Sequence, residues 1–128
     1  MEEQPNIRGF QDLVVWQKAV ALTVQIYQIT KGFPREELYG LTSQIRRAAV
    51  SIPSNIAEGQ GRGSQSAFAS HLDIAIGSAS ELETQLTIAE KIGYLSGEQS
   101  KMLSTELTTI IRMLYGLLRK IQPDRHLR

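Results

Sequence analysis

The segment from Phe68 to Ala89 carries apolar residues at alternating spacings of four and three, and this rhythm restricts the fold more than any other feature. The residues are Phe68, Leu72, Ala75, Ala79, Leu82, Leu86 and Ala89. Such spacing forms a narrow apolar seam along an α-helix, which must be buried against other helices. The last segment repeats it at Leu103, Leu107, Ile110, Leu114, Leu117 and Ile121. The sequence therefore predicts an all-α protein of long packed helices.

Turn and cap signals divide the chain into four helical segments. They predict helices at about 12–31, 38–60, 64–92 and 96–121. Asp12 and Ser64 are predicted as N-caps, and Ser96 with Gln99 as a capping box. Short connections between helices of this length favour an antiparallel up-down four-helix bundle over about 12–122. We expect residues 1–11 to form a flexible N-terminal tail and residues 123–128 a C-terminal tail.

The first helix has two apolar stripes instead of one. The first stripe consists of Leu13, Trp16, Val20, Val24 and Tyr27. The second stripe consists of Val15, Ala19, Leu22, Ile26 and Ile29. A surface helix needs one such stripe to cover the core, so the second is surplus to a single bundle. We assign the second stripe to an interface between subunits of a homo-oligomer.

Composition restricts the class of protein further. The 128 residues include 14 basic and 13 acidic side chains, and the net charge of +1 gives no strong overall attraction to nucleic acid. Cysteine is absent, which excludes disulfides and thiol catalysis. No apolar run reaches the roughly 20 residues that span a bilayer. A cytoplasmic protein that does not insert in a membrane is expected.

The second helix concentrates the unusual polar residues. Pro53 falls inside it, where proline removes a backbone donor. Arg46 and Arg47 are adjacent and point about 100° apart on a helix, so one can face a neighbour and the other solvent or a ligand. Two interpretations remain open for the arginines. They contact phosphate, or they pair with Glu81 or Glu83 of the third helix.

Asn55, Glu58 and Arg62 follow at spacings of three and four, on one helix face. Glu58 and Arg62 have the favourable orientation of an i,i+4 ion pair, and Asn55 is suited to satisfy backbone groups loosened by Pro53. The alternative is a polar site where subunits meet. The glycine-rich segment 59–64 favours a tight turn between helices, although such turns can also bind anions.

The inventory for catalysis is poor. His71 and His126 are the only histidines, and no metal-binding spacing accompanies them. His71 neighbours the third-helix seam and is expected to be a packed or interface residue. Glu81 and Glu83 point to different faces of their helix and form no acid/base pair. The sequence predicts a non-enzymatic protein with no cofactor, no metal and no small-molecule substrate.

The polar identities around these seams resemble a known family. The segments are FQDLVVWQKA from Phe10, FPREELYGLTSQIRRAAVSIPSNIAEGQGRGS from Phe33, and FASHLDIAIGSASELETQLTIA from Phe68. They resemble the bacterial four-helix-bundle family of intervening-sequence proteins, some of which are encoded inside large-subunit ribosomal RNA genes. The resemblance implies an antiparallel bundle that assembles into a homo-oligomer, a pentamer in known relatives. It implies no established enzymatic activity.

Two functions follow from the resemblance as expectations. The first is a homo-oligomeric scaffold or adaptor. The alternative is an RNA- or DNA-binding module, because similar bundles in retroelements are thought to bind nucleic acid through a basic ring. This chain is nearly neutral and its third helix is acidic, unlike that basic branch. The alternative would use a basic surface formed by Arg46, Arg47, Arg62, Arg112, Arg119 and Lys120.

Overall fold

The computed structural model describes residues 9–124 and contains four long α-helices in that range. They are α1 (Val14–Thr30), α2 (Leu41–Gly61), α3 (Gln65–Lys91) and α4 (Gly97–Ile121). Short 3₁₀ turns precede α1 at Gly9–Asp12 and α2 at Arg35–Glu37. No strand occurs among these residues, which confirms the all-α prediction. Residues 1–8 and 125–128, most of the two predicted tails, lie outside the described residues.

The helices form a closed square: consecutive helices contact each other, and α4 contacts α1. Within the described range, α1 does not approach α3, and α2 does not approach α4, to within 8 Å between Cα atoms. Thr23 contacts Ala49 and Thr30 contacts Arg46, so α1 and α2 run in opposite directions.

Contacts between the other neighbouring helices show that these pairs are antiparallel as well. In the α2–α3 pair, Ser51 meets Ser78 and Asn55 meets His71. Ser100 near the start of α4 bonds Glu90 near the end of α3. Gln25 late in α1 meets Met102 early in α4. Every neighbouring pair is therefore antiparallel, and the arrangement is up-down.

Among the described residues, none of the helices combines the length and the apolar character that a transmembrane span requires.

Side-chain hydrogen bonds satisfy backbone amides at three of the helix starts. Ser64 accepts a hydrogen bond from the Ala67 amide, and Ser96 and Gln99 form the predicted capping box. The prediction that Asp12 caps α1 was wrong. Asp12 ends the first 3₁₀ turn, and Leu13 occupies the N-cap position without a side-chain hydrogen bond. At α2 the Glu37 carboxylate accepts from the Leu41 amide.

The core is aliphatic and comes from all four helices. The seam of α3 is buried as predicted from Leu72 to Ala89, and Phe68 packs half-buried against it. In α4 the buried positions run from Leu103 to Leu118, and Leu118 takes the place expected for Leu117. Alanines at several α2 and α3 positions allow the two backbones to lie close.

The second stripe of α1 belongs to this core and not to a subunit interface. Its first four members are only 1–4% exposed in the single chain, and Ile29 packs against the core half-buried. The assignment of Val15, Ala19, Leu22, Ile26 and Ile29 to an oligomer interface is therefore wrong. In the first stripe, Val24 and Tyr27 face outward and are 52% and 40% exposed, whereas Leu13 and Trp16 pack half-buried against the core.

The connection between α1 and α2 is held against the bundle. Phe33 is buried and its ring lies 5.3 Å from that of Tyr94, which follows α3. The Tyr94 hydroxyl donates to Glu37 at 2.9 Å. This hydrogen bond to a carboxylate, with a smaller contribution from burial, raises the pKa of Tyr94 above its ordinary value. The connection is therefore fixed on the bundle, and Lys31 and Arg35 are exposed on it.

Candidate functional site

Arg46 and Arg47 point to different sides of α2, as their adjacency predicted. Arg46 turns toward α1, whereas Arg47 lines the groove between α2 and α3. They therefore do not act together on one ligand within a subunit. The predicted pairing with Glu81 or Glu83 is not formed, because no ion pair within 4.0 Å joins either arginine to these carboxylates.

Arg46 is held by neutral groups. Its Nε donates to the Thr30 hydroxyl at 2.9 Å, and its Nη2 donates to the Tyr27 carbonyl at 3.5 Å. The guanidinium also lies 4.7 Å from the centre of the Tyr27 ring, a cation–π contact. These contacts join the end of α1 to α2 and leave the positive charge without a carboxylate. Sequence reasoning did not find Tyr27 and Thr30 as partners, because they are 19 and 16 residues away along the chain.

Arg47 lies in an open polar groove of about 530 Å³ along the α2–α3 pair. Glu81 faces it from α3, and Tyr39, the most exposed large hydrophobic side chain at 93%, stands at one end. Arg47 makes no hydrogen bond or ion pair within the described part of the chain. The remaining lining residues are small or uncharged: Ser43, Gln44, Ala48, Ser51 and Ser78.

In this groove and next to it, hydrogen bonds between side chains join α2 to α3. The Ser51 and Ser78 hydroxyls lie 2.7 Å apart, and Asn55 Oδ1 lies 3.0 Å from His71 Nδ1. Asn55 Nδ2 also donates to the Ser51 carbonyl at 2.9 Å. His71 is thus a packed histidine, as predicted, and its Nδ1 is engaged by an amide. These bonds fix the register of the two helices.

Glu58 and Arg62 form the predicted ion pair at 2.8 Å between Oε2 and Nη2. Both side chains are more than half exposed, so the pair adds little stability. The hydrogen bond from Arg62, followed by the charge of His71, lowers the pKa of Glu58. Two of the three residues predicted as a polar cluster are therefore an ordinary surface pair, and Asn55 faces His71 instead.

Pro53 lies inside an unbroken α2, and the backbone group that it frees is satisfied from another helix. Proline cannot donate to the carbonyl four residues earlier, that of Ala49. The Thr23 hydroxyl of α1 lies 3.2 Å from this oxygen and 2.8 Å from the Ala19 carbonyl of its own helix, so its single proton is shared between the two acceptors. Asn55 Nδ2 donates to the Ser51 carbonyl, a backbone group two residues before Pro53, and not to the Ala49 carbonyl that loses its donor.

The glycine-rich segment permits a close helix contact. A Cβ at Gly59 would lie 2.6 Å from His71 Cβ and 3.1 Å from the Phe68 ring. The link between α2 and α3 consists of residues 62–64 only, with Gly63 at a φ of +82°. The segment is therefore a tight turn between packed helices, as the favoured interpretation predicted.

The cations of α4 lie apart from those of α2. Arg119 and Lys120 line an apolar groove with Leu13, Val14 and other residues at the α1–α4 end of the bundle. Arg112 is exposed on the same helix. Since α2 and α4 occupy opposite corners of the square, these side chains and Arg47 or Arg62 do not share one surface of a subunit.

An apolar surface remains on the outside of α1, which we call the α1 outer face. It consists of Trp16, Val20, Val24 and Tyr27, together with Val50 of α2. Val24 and Val50 directly follow the contacting pair Thr23 and Ala49, so they lie at the same level of the bundle. Both are well exposed, at 52% and 39%. This surface carries no acidic side chain.

The described residues contain no group of three or more histidine, aspartate or glutamate side chains that could hold a metal ion. Neither the polar groove nor the α2–α3 hydrogen bonds next to it place a nucleophile beside a free base. The arrangement is suited to contacts with other molecules.

Comparison with known proteins agrees with the architecture. The family model described as 23S rRNA-intervening sequence protein matches residues 11–116. A crystal structure from Bacteroides thetaiotaomicron VPI-5482, described as a protein with unknown function from the S23 ribosomal protein family, is 28% identical. It superimposes with a TM-score of 0.78 over 85% of this chain and 98% of its own. No curated protein matches the chain. The chain belongs to the 23S rRNA-intervening sequence protein family.

Proposed function

We propose that the protein is a non-enzymatic homo-oligomeric scaffold whose subunits associate through the α1 outer face. The observation that carries this proposal is the contiguous exposure of apolar side chains on α1 and α2 beside a complete core. Exposed apolar surface of this kind marks contact sites in soluble proteins, because its burial removes it from water. A cytoplasmic location is part of the same proposal.

The distribution of side chains supports association at this face over others. The inner stripe of α1 is already covered by the core, and only Leu13 and Trp16 of the outer stripe also pack against it. The exposed Val24 and Tyr27 are not needed for the core of one subunit. The α2–α3 side is instead polar, with Arg47, Glu81 and the serine hydroxyls. An interface needs an apolar centre and a polar rim, and Arg46 stacked on Tyr27 supplies part of such a rim.

Two valines of α1 provide a matched test. Val14 and Val24 are both 52% exposed on the same helix, but Val14 lies in the groove with α4 and Val24 on the outer face. We expect Val24→Asp to convert the oligomer to folded monomers, because a charge in an apolar interface loses its hydration. Val14→Asp should leave the particle assembled. Native mass measures the assembly of each variant, and circular dichroism measures its helicity.

The proposal fails if Val24→Asp retains the mass of the wild-type particle. It fails equally if Val14→Asp and Val24→Asp dissociate the particle to the same extent. Dissociation with unchanged helicity in Val24→Asp alone supports the outer face.

The nucleic-acid alternative would need a surface that a single subunit does not present. The arginines of α2 and the cations of α4 lie on separate sides of the bundle, so they could be combined only by assembly. The assembled wild-type particle is therefore the sample for this alternative. Binding of a ribosomal RNA fragment that weakens steeply with salt would favour the nucleic-acid function over the scaffold function.

A further inference from the structure

A cavity of about 350 Å³ opens where the α1–α2 connection meets the first turns of α2. Three cations line it: Lys31 after α1, Arg35 in the second 3₁₀ turn and Arg46 of α2. No acidic side chain is among its lining residues. The cavity shares no lining residue with the polar α2–α3 groove, and one subunit supplies all of its lining residues.

The three charges are not neutralised by the described part of the chain. Neither Lys31 nor Arg35 has a hydrogen-bonded or ion-paired side chain there, and Arg46 bonds only neutral oxygens. Of the two acidic residues that follow Arg35, Glu37 is occupied by the Leu41 amide and the Tyr94 hydroxyl. Glu36 does not line the cavity and forms no ion pair with its three cations. Like charges that converge without a counter-ion favour the binding of an anion.

Thr42 supplies an independent observation at the same cavity. It lines the cavity and is only 2% exposed, yet its hydroxyl has no hydrogen-bond partner. Buried hydroxyls without a partner are uncommon, because they lose their bonds to water. Threonine in a helix has two accessible χ1 rotamers, and rotation can turn the hydroxyl toward a bound oxygen. A ligand with several acceptor oxygens would satisfy it.

We propose that this cavity binds a phosphate group. Arginine and lysine donors at three positions match the several oxygens of phosphate, and the Thr42 hydroxyl adds a fourth donor. The other walls are apolar, formed by Phe33, Pro34 and Leu38, so they suit the organic part of a phosphate ester. The ligand is therefore inorganic phosphate or a phosphate carried on an organic molecule.

The direct test is a titration of the full-length protein with inorganic phosphate, followed by amide NMR shifts at constant ionic strength. We expect saturable shifts confined to residues around 30–46. The double variant Lys31→Ala with Arg35→Ala should weaken phosphate binding by at least about tenfold. Neither side chain has a structural partner to lose, so the fold should remain intact.

Thr42→Val is a second variant, which should lower the affinity for phosphate without lowering the stability of the free protein. Valine has the shape of threonine without the hydroxyl, so the variant should weaken phosphate binding while its thermal midpoint stays equal or rises. Arg47→Ala is the matched control, since it removes a neighbouring unpaired arginine on another face of the same helix. It should bind phosphate as the wild type does.

The source of the phosphate is distinguished by a second titration, with a short single-stranded RNA that lacks terminal phosphates. If the RNA shifts the same amides, and the double variant reduces that effect, the site takes backbone phosphates. If only inorganic phosphate acts, the site takes free phosphate or a small ester. The proposal is overturned if phosphate shifts no amides at the cavity, or if the double variant and Thr42→Val bind phosphate as Arg47→Ala does. None of these readouts depends on assembly.

Discussion

At the scale of single residues, the α2–α3 contact depends on the absence of one side chain. Gly59 faces His71 and Phe68, and a Cβ there would approach His71 Cβ to 2.6 Å. Such a distance forces the helices apart, because both atoms belong to rigid parts of their residues. The hydrogen bond between Asn55 and His71 lies beside this point and depends on the same separation.

Gly59→Ala should therefore destabilise the protein by about 1–3 kcal/mol, although alanine favours helix more than glycine. Gly77→Ala is the control, because Gly77 lies within α3 with nothing within 4 Å of an added Cβ. The control should be stabilised by roughly 0.5–1 kcal/mol. Urea unfolding measures both changes. Equal effects of the two substitutions would contradict the close approach at Gly59.

A second residue-scale prediction concerns the carbonyl that Pro53 frees. Thr23→Val removes the hydroxyl that is shared between the Ala49 and Ala19 carbonyls and should cost about 1–2 kcal/mol. In a Pro53→Ala background the alanine N–H can bond that carbonyl itself, so the cost of Thr23→Val should largely vanish. The four free energies of unfolding form a double-mutant cycle.

Thr87→Val is the control for this cycle, since that hydroxyl bonds Glu83 within its own exposed helix surface. It should cost little and show no coupling to Pro53. A cycle with additive costs would show that Thr23 does not compensate for the proline.

At the scale of elements, α1 shows what its sequence did and did not determine. Both of its stripes have helical spacing and apolar character, so periodicity alone could not rank them. Packing decides the question: the inner stripe has Ala19 and branched aliphatic residues that fit between α2 and α4. The outer stripe carries Trp16 and Tyr27, whose amphipathic rings suit a surface margin.

The burial of the inner stripe determines the outcome expected for Ile26→Asp. Ile26 is 1% exposed, so an aspartate there places an unpaired carboxylate in the core. The free energy of unfolding should fall by more than about 4 kcal/mol, and the chain should lose helicity at ordinary temperature. Circular dichroism checks this. A folded monomer would instead restore the interface interpretation of the inner stripe.

The α3 seam provides a milder test of the same packing. Leu82 is fully buried at a position that the four-three spacing identified. Leu82→Ala should cost about 2–5 kcal/mol, because the transfer energy and a cavity both contribute. A cost below 1 kcal/mol, measured by urea unfolding and well under this range, would contradict the seam.

Local signals were read more reliably than long-range contacts. The capping box at Ser96 and the ion pair of Glu58 with Arg62 join residues three and four apart, and the sequence showed both. Three other features depend on residues that only the folded bundle brings together. They are the contacts of Arg46, the hydrogen bond from Thr23 to Ala49 and the cavity at Thr42. The basic residues on either side of Phe33 and Pro34 were the only sequence trace of that cavity.

At the scale of the whole molecule, the bundle separates its surfaces by chemistry. The α1 outer face is apolar, the α2–α3 side is polar, and unpaired cations collect at the α1–α2 connection. A square bundle allows this separation, because each helix pair forms its own side. A scaffold could therefore self-associate on one side and keep the others available.

The native mass of the wild-type particle tests the central claim most directly, measured by sedimentation equilibrium at low and high salt. We predict a mass that is a multiple of the 14.3 kDa subunit and does not change with salt, because an apolar interface is insensitive to screening. The family resemblance predicts five subunits. A particle of 14.3 kDa under both conditions would contradict association through the α1 outer face.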